Sequence, residues 1–155
     1  MRVIGVDLGS RRVGIALGDT DTSVATPLQV LTRGTDLAAD RRSLAALVRE
    51  WEAEQLVVGW PRSLDGSDGP AALAARAEAA ELAKVVGVPV ALHDERLSTV
   101  SAHHALAEAG LTSRDRRNRV DASAAAVLLQ DWLDRRAANP DADSRGDIAV
   151  EDSDR

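Results

Sequence analysis

The stretch RVIGVDLGSRRVGIALGDTD (residues 2–21) reads as two strands joined by a short turn. The first strand, residues 2–8, is apolar except for Asp7 near its end. A carboxylate in a strand that reads as buried is costly unless something pairs with it. The second strand, residues 13–18, follows a tight glycine-containing connection. A third, residues 25–31, completes an antiparallel meander.

Beyond the meander the periodicity changes. Residues 36–51 place Leu37, Leu44, Leu47, Val48 and Trp51 on one helical face. QLVVGW (55–60) is a short apolar run of the kind that forms a buried strand. PRSLDGSDGP (61–70) is a loop rich in breakers, and an alanine-rich helix covers about 71–86. VPVALH (88–93) reads as another buried strand. Ser98 or Thr99 can cap a helix running to about Ala109. GLTSRDRRNR (110–119) reads as a basic loop, and a last helix spans about 120–136. Three antiparallel strands followed by strand–helix alternation define an α/β chain with a mixed five-stranded sheet flanked by helices.

Composition narrows the class. The chain has 155 residues, enough for one domain but too few for two substantial ones. It has no cysteine, which excludes disulfides and thiolate metal sites. No apolar run is long enough for a transmembrane helix, and no signal-peptide pattern opens the chain. A cytoplasmic protein with no membrane partner is expected. The net charge of −6 is mostly terminal: residues 139–155 carry six acids and two arginines, so residues 1–138 carry only −2. The domain is therefore assigned to 1–138, and 139–155 to an acidic, disordered tail. Of the 19 bases, 18 are arginine, whose fork grips phosphate.

In α/β sheets, sites lie at the carboxyl ends of the strands. Asp7 ends the first strand, Asp94 and Glu95 follow VPVALH, and Asp121 opens the last helix. Ala125, Leu128, Leu129 and Trp132 share a helical side with Asp121. Singly, each acid has a plainer reading: Asp7 a turn former, Glu95 a surface ion-pair partner, Asp121 a helix N-cap. Together they suggest a site for a hard divalent cation, which tolerates converging carboxylates and works on phosphodiesters. Asp7 is then a metal ligand.

The segments DLGSRRVGIALGD, LVVGWPRSLDG, LHDERLST and VDASAAAVLLQDWL resemble, in order and context, the YqgF/RuvX family over about residues 2–136. Its members are described as nucleases for pre-16S ribosomal RNA and as Holliday-junction-resolvase-like proteins. The resemblance implies a ribonuclease-H-like fold. It implies Asp7, Glu95 and Asp121 as the catalytic, metal-holding triad, with Mg²⁺ or Mn²⁺ as cofactor. It also implies a substrate-binding role for Arg11, Arg12, Arg62 and Arg96. One departure is Trp60, where the family pattern has leucine. The implied function is metal-dependent phosphodiester hydrolysis in maturing the 5′ end of 16S rRNA, by a monomer or homodimer. The alternative is a dimeric resolvase cutting branched, four-way DNA.

Other features carry less. His93, His103 and His104 lack partners at metal-ligand spacing, although His93 lies near the proposed site. DGSDG (65–69) lacks the remaining ligands of a calcium loop. With no Phe or Tyr and three Trp, stacking platforms are scarce, and Trp60 is the candidate for base contact. An actin-like or sugar-kinase-like ATPase would need a second such domain. A non-catalytic nucleic-acid-binding module would gain nothing from clustered carboxylates.

Overall fold

The computed structural model describes residues 1–97, 114–140 and 147–150. Strands β1 (Arg2–Leu8), β2 (Arg12–Asp19) and β3 (Val24–Thr32) form the expected meander. Helix α1 (Leu37–Glu50) leads to β4 (Gln55–Trp60), and α2 (Pro70–Val85) leads to β5 (Val90–Asp94). A 3-10 turn, Glu95–Leu97, follows β5. Helix α3 covers Arg114–Ala138, and β6 covers Asp147–Val150. The sheet order is β3-β2-β1-β4-β5-β6, with β4 parallel to both β1 and β5. Among the described residues, no helix is long and apolar enough to cross a membrane.

Local chemistry explains the helix starts. The Asp36 carboxylate accepts the Ala39 N–H at 3.2 Å and caps α1. Pro70 opens α2, where its fixed φ suits a first turn and its missing N–H costs nothing.

The sheet is covered on both faces. Ile4, Val6, Ile15, Leu56, Val58 and Leu92 point toward α1 and α2, meeting Leu44, Val48 and Leu82. Val3, Ala16 and Val57 point the other way, onto Ala125, Leu129, Trp132 and Leu133 of α3. Residues 3, 5 and 7 of β1 share this second face by strand alternation.

Three readings of the sequence are corrected. The last helix begins at Arg114 rather than 120, so residues 114–119 of the expected basic loop are helical. Arginine is a good helix former, but a run of charges shows no apolar stripe. The segment read as a disordered tail supplies β6, which pairs antiparallel with β5 from Val90↔Val150 to His93↔Asp147. Its apolar core, Ile148 to Val150, covers the open hydrogen-bonding edge that β5 would otherwise present. The five expected strands thus gain a sixth at this edge. Trp60 is 3% exposed and belongs to the core, out of reach of a base. The helix expected from Ser98 or Thr99 to Ala109, with His103 and His104, lies outside the described residues.

Candidate active site

The site is built where α3 closes on β1. A Cβ at Gly5 would lie 2.8 Å from Leu129 Cβ, so the helix sits directly on the strand there. A Cβ at Gly18, which pairs with Val3, would meet the side chains of Leu129 and Leu133. The contacts step from Leu133 to Ala125 as β1 runs from Val3 to Gly5. Helix α3 therefore runs against β1, with its N-terminal part at the carboxyl end of the strand. Position 121 lies one turn before Ala125, about 6 Å along the helix axis. Asp7 lies two residues beyond Gly5, about 6.6 Å along the strand. The backbone of position 121 and Asp7 thus reach the same level. The Asp121 side chain lies outside the described residues.

Asp7 is 6% exposed and faces α3. Its partner on β2 is Gly14. On β4, the register Gly5↔Val57, Val6↔Val58 brings Gly59 level with it. Asp7 is thus flanked on both sides by residues without side chains. The space over Gly59 is taken by Glu95, itself 4% exposed. A Cβ at position 59 would overlap Glu95 Oε1, well inside the 3.0 Å that real Cβ atoms keep, and would lie 3.1 Å from Glu95 Cδ. Neighbouring strands lie about 4.8 Å apart. The fold therefore brings the Asp7 carboxylate of β1 and the Glu95 carboxylate, which lies over the adjacent β4, onto one face of the sheet and to one level.

Buried carboxylates are among the oxygen donors that a hard divalent cation takes. Among the described residues no group of three Asp, Glu or His converges as a metal site. The two carboxylates and position 121 are compatible with a cation held by one or two protein carboxylates and completed by substrate oxygens.

The arginines divide into two groups. Arg11 is exposed in the tight turn between β1 and β2, and Arg12 beside it is half-buried. The turn is held by Gly9 N–H donating to the Arg12 carbonyl at 2.9 Å and Arg33 N–H donating to the Arg11 carbonyl at 2.8 Å. Arg62 and Arg96 sit instead in an ion-pair network beyond β4 and β5. The Arg62 guanidinium stacks 4.2 Å over the Trp60 ring, with Arg76 also over it at 5.5 Å. Arg62 pairs with Asp68 at 3.4 Å and Asp94 at 3.8 Å, and donates to the Gly66 carbonyl. Arg96 is gripped by Asp94 through Nε at 2.9 Å and Nη2 at 2.7 Å. Burial would raise the Asp94 carboxyl, but the Arg96 bonds and the charges of Arg96 and Arg62 outweigh it and hold it below the usual range.

Sequence reasoning missed Asp131. On α3, its carboxylate bonds His93 Nε2 at 2.6 Å and accepts from Arg135 Nε at 3.0 Å. Burial pushes the Asp131 carboxyl up, yet His93 and Arg135 together bring it below its ordinary value. Only an i,i+4 Asp–Arg spacing marks this residue in the sequence, and that spacing is common on exposed helix faces. The bond to His93 ties α3 to β5 two residues before Glu95.

The architecture is a ribonuclease-H-like fold. It superimposes on Thermus thermophilus RuvC, solved in complex with Holliday junction substrate, with a TM-score of 0.56 at 17% identity, covering 89% of this chain and 96% of that one. This likeness speaks for the fold. The chain belongs to the RuvX family, described as Holliday junction resolvase, which it matches over residues 1–135. A relative from Anaeromyxobacter sp. (strain Fw109-5), named "Putative pre-16S rRNA nuclease", is 53% identical over 138 residues, 89% of this chain and all of the relative. A relative of the same name from Moorella thermoacetica is 46% identical over 139 residues, 90% of this chain and 99% of the relative.

Proposed function

We propose that the protein hydrolyses phosphodiester bonds of nucleic acid with divalent metal help, and that its substrate is the precursor of 16S rRNA. The carrying observation is the pair of buried carboxylates: Asp7, flanked by Gly14 and Gly59, with Glu95 filling the space over Gly59. Two buried carboxylates at one level on one face of the sheet offer the hard oxygen donors that a divalent cation takes. The names carried by the relatives from Anaeromyxobacter and Moorella support the RNA substrate. Such an enzyme works where ribosomes are assembled, in the cytoplasm, and as a monomer it suffices for a single cut.

Asp7, Glu95 and Asp121 would hold Mg²⁺ or Mn²⁺. When bound, the cation supplies positive charge to the phosphoryl oxygens and eases deprotonation of the attacking water. The chain's part is to keep its ligands rigid. Asp7 is set by a central strand hydrogen-bonded on both sides, and Glu95 by its seat on Gly59. Arg11 and Arg12, at the mouth, would hold flanking phosphates and so position the substrate without reading its sequence. Arg62 and Arg96, already paired with carboxylates, would reach phosphate only by sharing their forks with Asp68 and Asp94.

The test compares the purified protein with Asp7→Asn on labelled 16S precursor RNA, a four-way DNA junction and plain duplex. Each is run with Mn²⁺, with Mg²⁺ and with EDTA. Metal-dependent cleavage of the precursor, lost in Asp7→Asn, is expected. Preference for the junction, by a two-fold dimer, would replace the RNA reading with resolution, the activity in the family's description. Binding without cleavage, indifferent to EDTA and to the substitution, would refute catalysis.

A further inference from the structure

We infer that Asp94 is a positioning residue for the active site: by clasping Arg96 it fixes the turn that delivers Glu95 onto Gly59. This rests on the assignment of Glu95 to the site. Glu95 lies in sequence between the two members of the clasp. Asp94 Oδ1 accepts the Arg96 backbone N–H at 3.0 Å, closing a small ring around residue 95. The two Asp94 oxygens also take the Arg96 guanidinium through Nε and Nη2, a bidentate arrangement with fixed geometry. The chain torsions on either side of Glu95 are therefore held from both ends.

The clasp is also tied to the seat that Glu95 occupies. Asp94 pairs with Trp60 across β5 and β4, one residue along from the Gly59↔His93 pair. Arg62 stacks on Trp60 and reaches Asp94, so Trp60, Arg62, Asp94 and Arg96 form one connected unit. That unit lies on the α2 side of the sheet, while Glu95 turns toward α3. Gly59 and Glu95 are thus held by their direct sequence neighbours, Trp60 and Asp94. A purely stabilising salt bridge has no reason to bracket a buried carboxylate in this way. Arg62, Arg76 and Arg96 are each paired here with Asp68 or Asp94, so none of the three forks is wholly open to an anion.

The experiment uses the full chain and three proteins: wild type, Asp94→Asn and Glu95→Gln. Three quantities are read: Mn²⁺ affinity by calorimetry without nucleic acid, kcat and KM on the cleaved substrate, and Tm. Asn keeps the shape of Asp94 and its acceptor for the Arg96 N–H, but loses the charged grip. Asp94→Asn is expected to weaken Mn²⁺ binding by about tenfold to a hundredfold, the usual effect of losing a ligand's support. Its kcat should fall by a similar factor, with KM unchanged or lower because Arg62 and Arg96 lose a neutralising partner. The Tm should move by only a few degrees. Unchanged Mn²⁺ affinity and kcat in Asp94→Asn, beside an inactive Glu95→Gln, would overturn the clasp and leave the site standing. A Glu95→Gln protein that binds Mn²⁺ and cleaves like wild type would overturn both.

Discussion

Gly59→Ala should separate catalysis from folding. The added methyl would collide with Glu95 Oε1, and the oxygen must withdraw by about 1 Å to reach ordinary contact. A carboxylate end is the movable part of a flexible side chain, so the fold can absorb the collision by displacing it. Leu128 Cδ2, 3.2 Å from the new methyl, must also give by a few tenths of an ångström. Overpacking of this kind costs about 1–3 kcal/mol, and the lower end is expected because one of the two neighbours is mobile. The Tm should then fall by about 2–4 °C per kcal/mol. The chemistry is less forgiving, because a misplacement of about 1 Å in an active site costs about a hundredfold in rate. That corresponds to about 2.7 kcal/mol of transition-state stabilisation. The control is Gly18→Ala, which meets Leu129 and Leu133 at the far end of the α3 contact. It should lower Tm at least as much while keeping the rate per folded molecule. The assay is initial-rate cleavage over a Mn²⁺ titration, beside thermal melts of all three proteins. A Gly59→Ala protein that melts a few degrees low but cleaves within threefold of wild type would refute the assignment of Glu95 to the site.

Two further outcomes follow from the charges. Arg11→Ala and Arg12→Ala should each weaken nucleic-acid binding and reduce the slope of log K against log salt by about 0.9 on duplex or 0.7 on single strands; unchanged slopes in a salt series would remove them from the interface. Asp131→Asn should cost about 1–3 kcal/mol at neutral pH by weakening the tie to His93, read by urea denaturation. Because the folded Asp131 carboxyl titrates below its unfolded value of 3.8, its contribution is complete above that pH and is lost as pH falls through the lower folded value. The gap between wild type and Asp131→Asn should therefore close as pH falls below 3.8. A gap that stayed unchanged well below pH 3.8 would contradict the assignment.

The meander, β4 and the first two helices were legible because each pairs a clean apolar period with turn chemistry at its ends. Asp36 caps α1 and Pro70 opens α2 at positions the sequence itself marks. The start of α3 was not legible, because Arg114 to Arg119 carry charges without an apolar stripe. Nor was β6, because three apolar residues in an acidic segment gain their meaning only from the open edge of β5.

The site divides in the same way. Asp7 was marked by sequence alone, since a carboxylate at the end of a buried apolar strand is too costly to stand there without a partner. Local pattern likewise marked Glu95 after its strand and Asp121 at the head of an apolar helical face. Tertiary structure decided the rest, because it depends on contacts between residues far apart in the chain. It showed that Gly59 is an empty seat for a carboxylate 36 positions later, and that Arg62 and Arg96 are paired rather than free. It also showed that Asp131 reaches across 38 positions to hold His93. A glycine looks the same in sequence whether it serves a turn or makes room, and an arginine's charge does not say which carboxylate stands beside it. Only the packing of β4, β5 and α3 against one another settles those two questions.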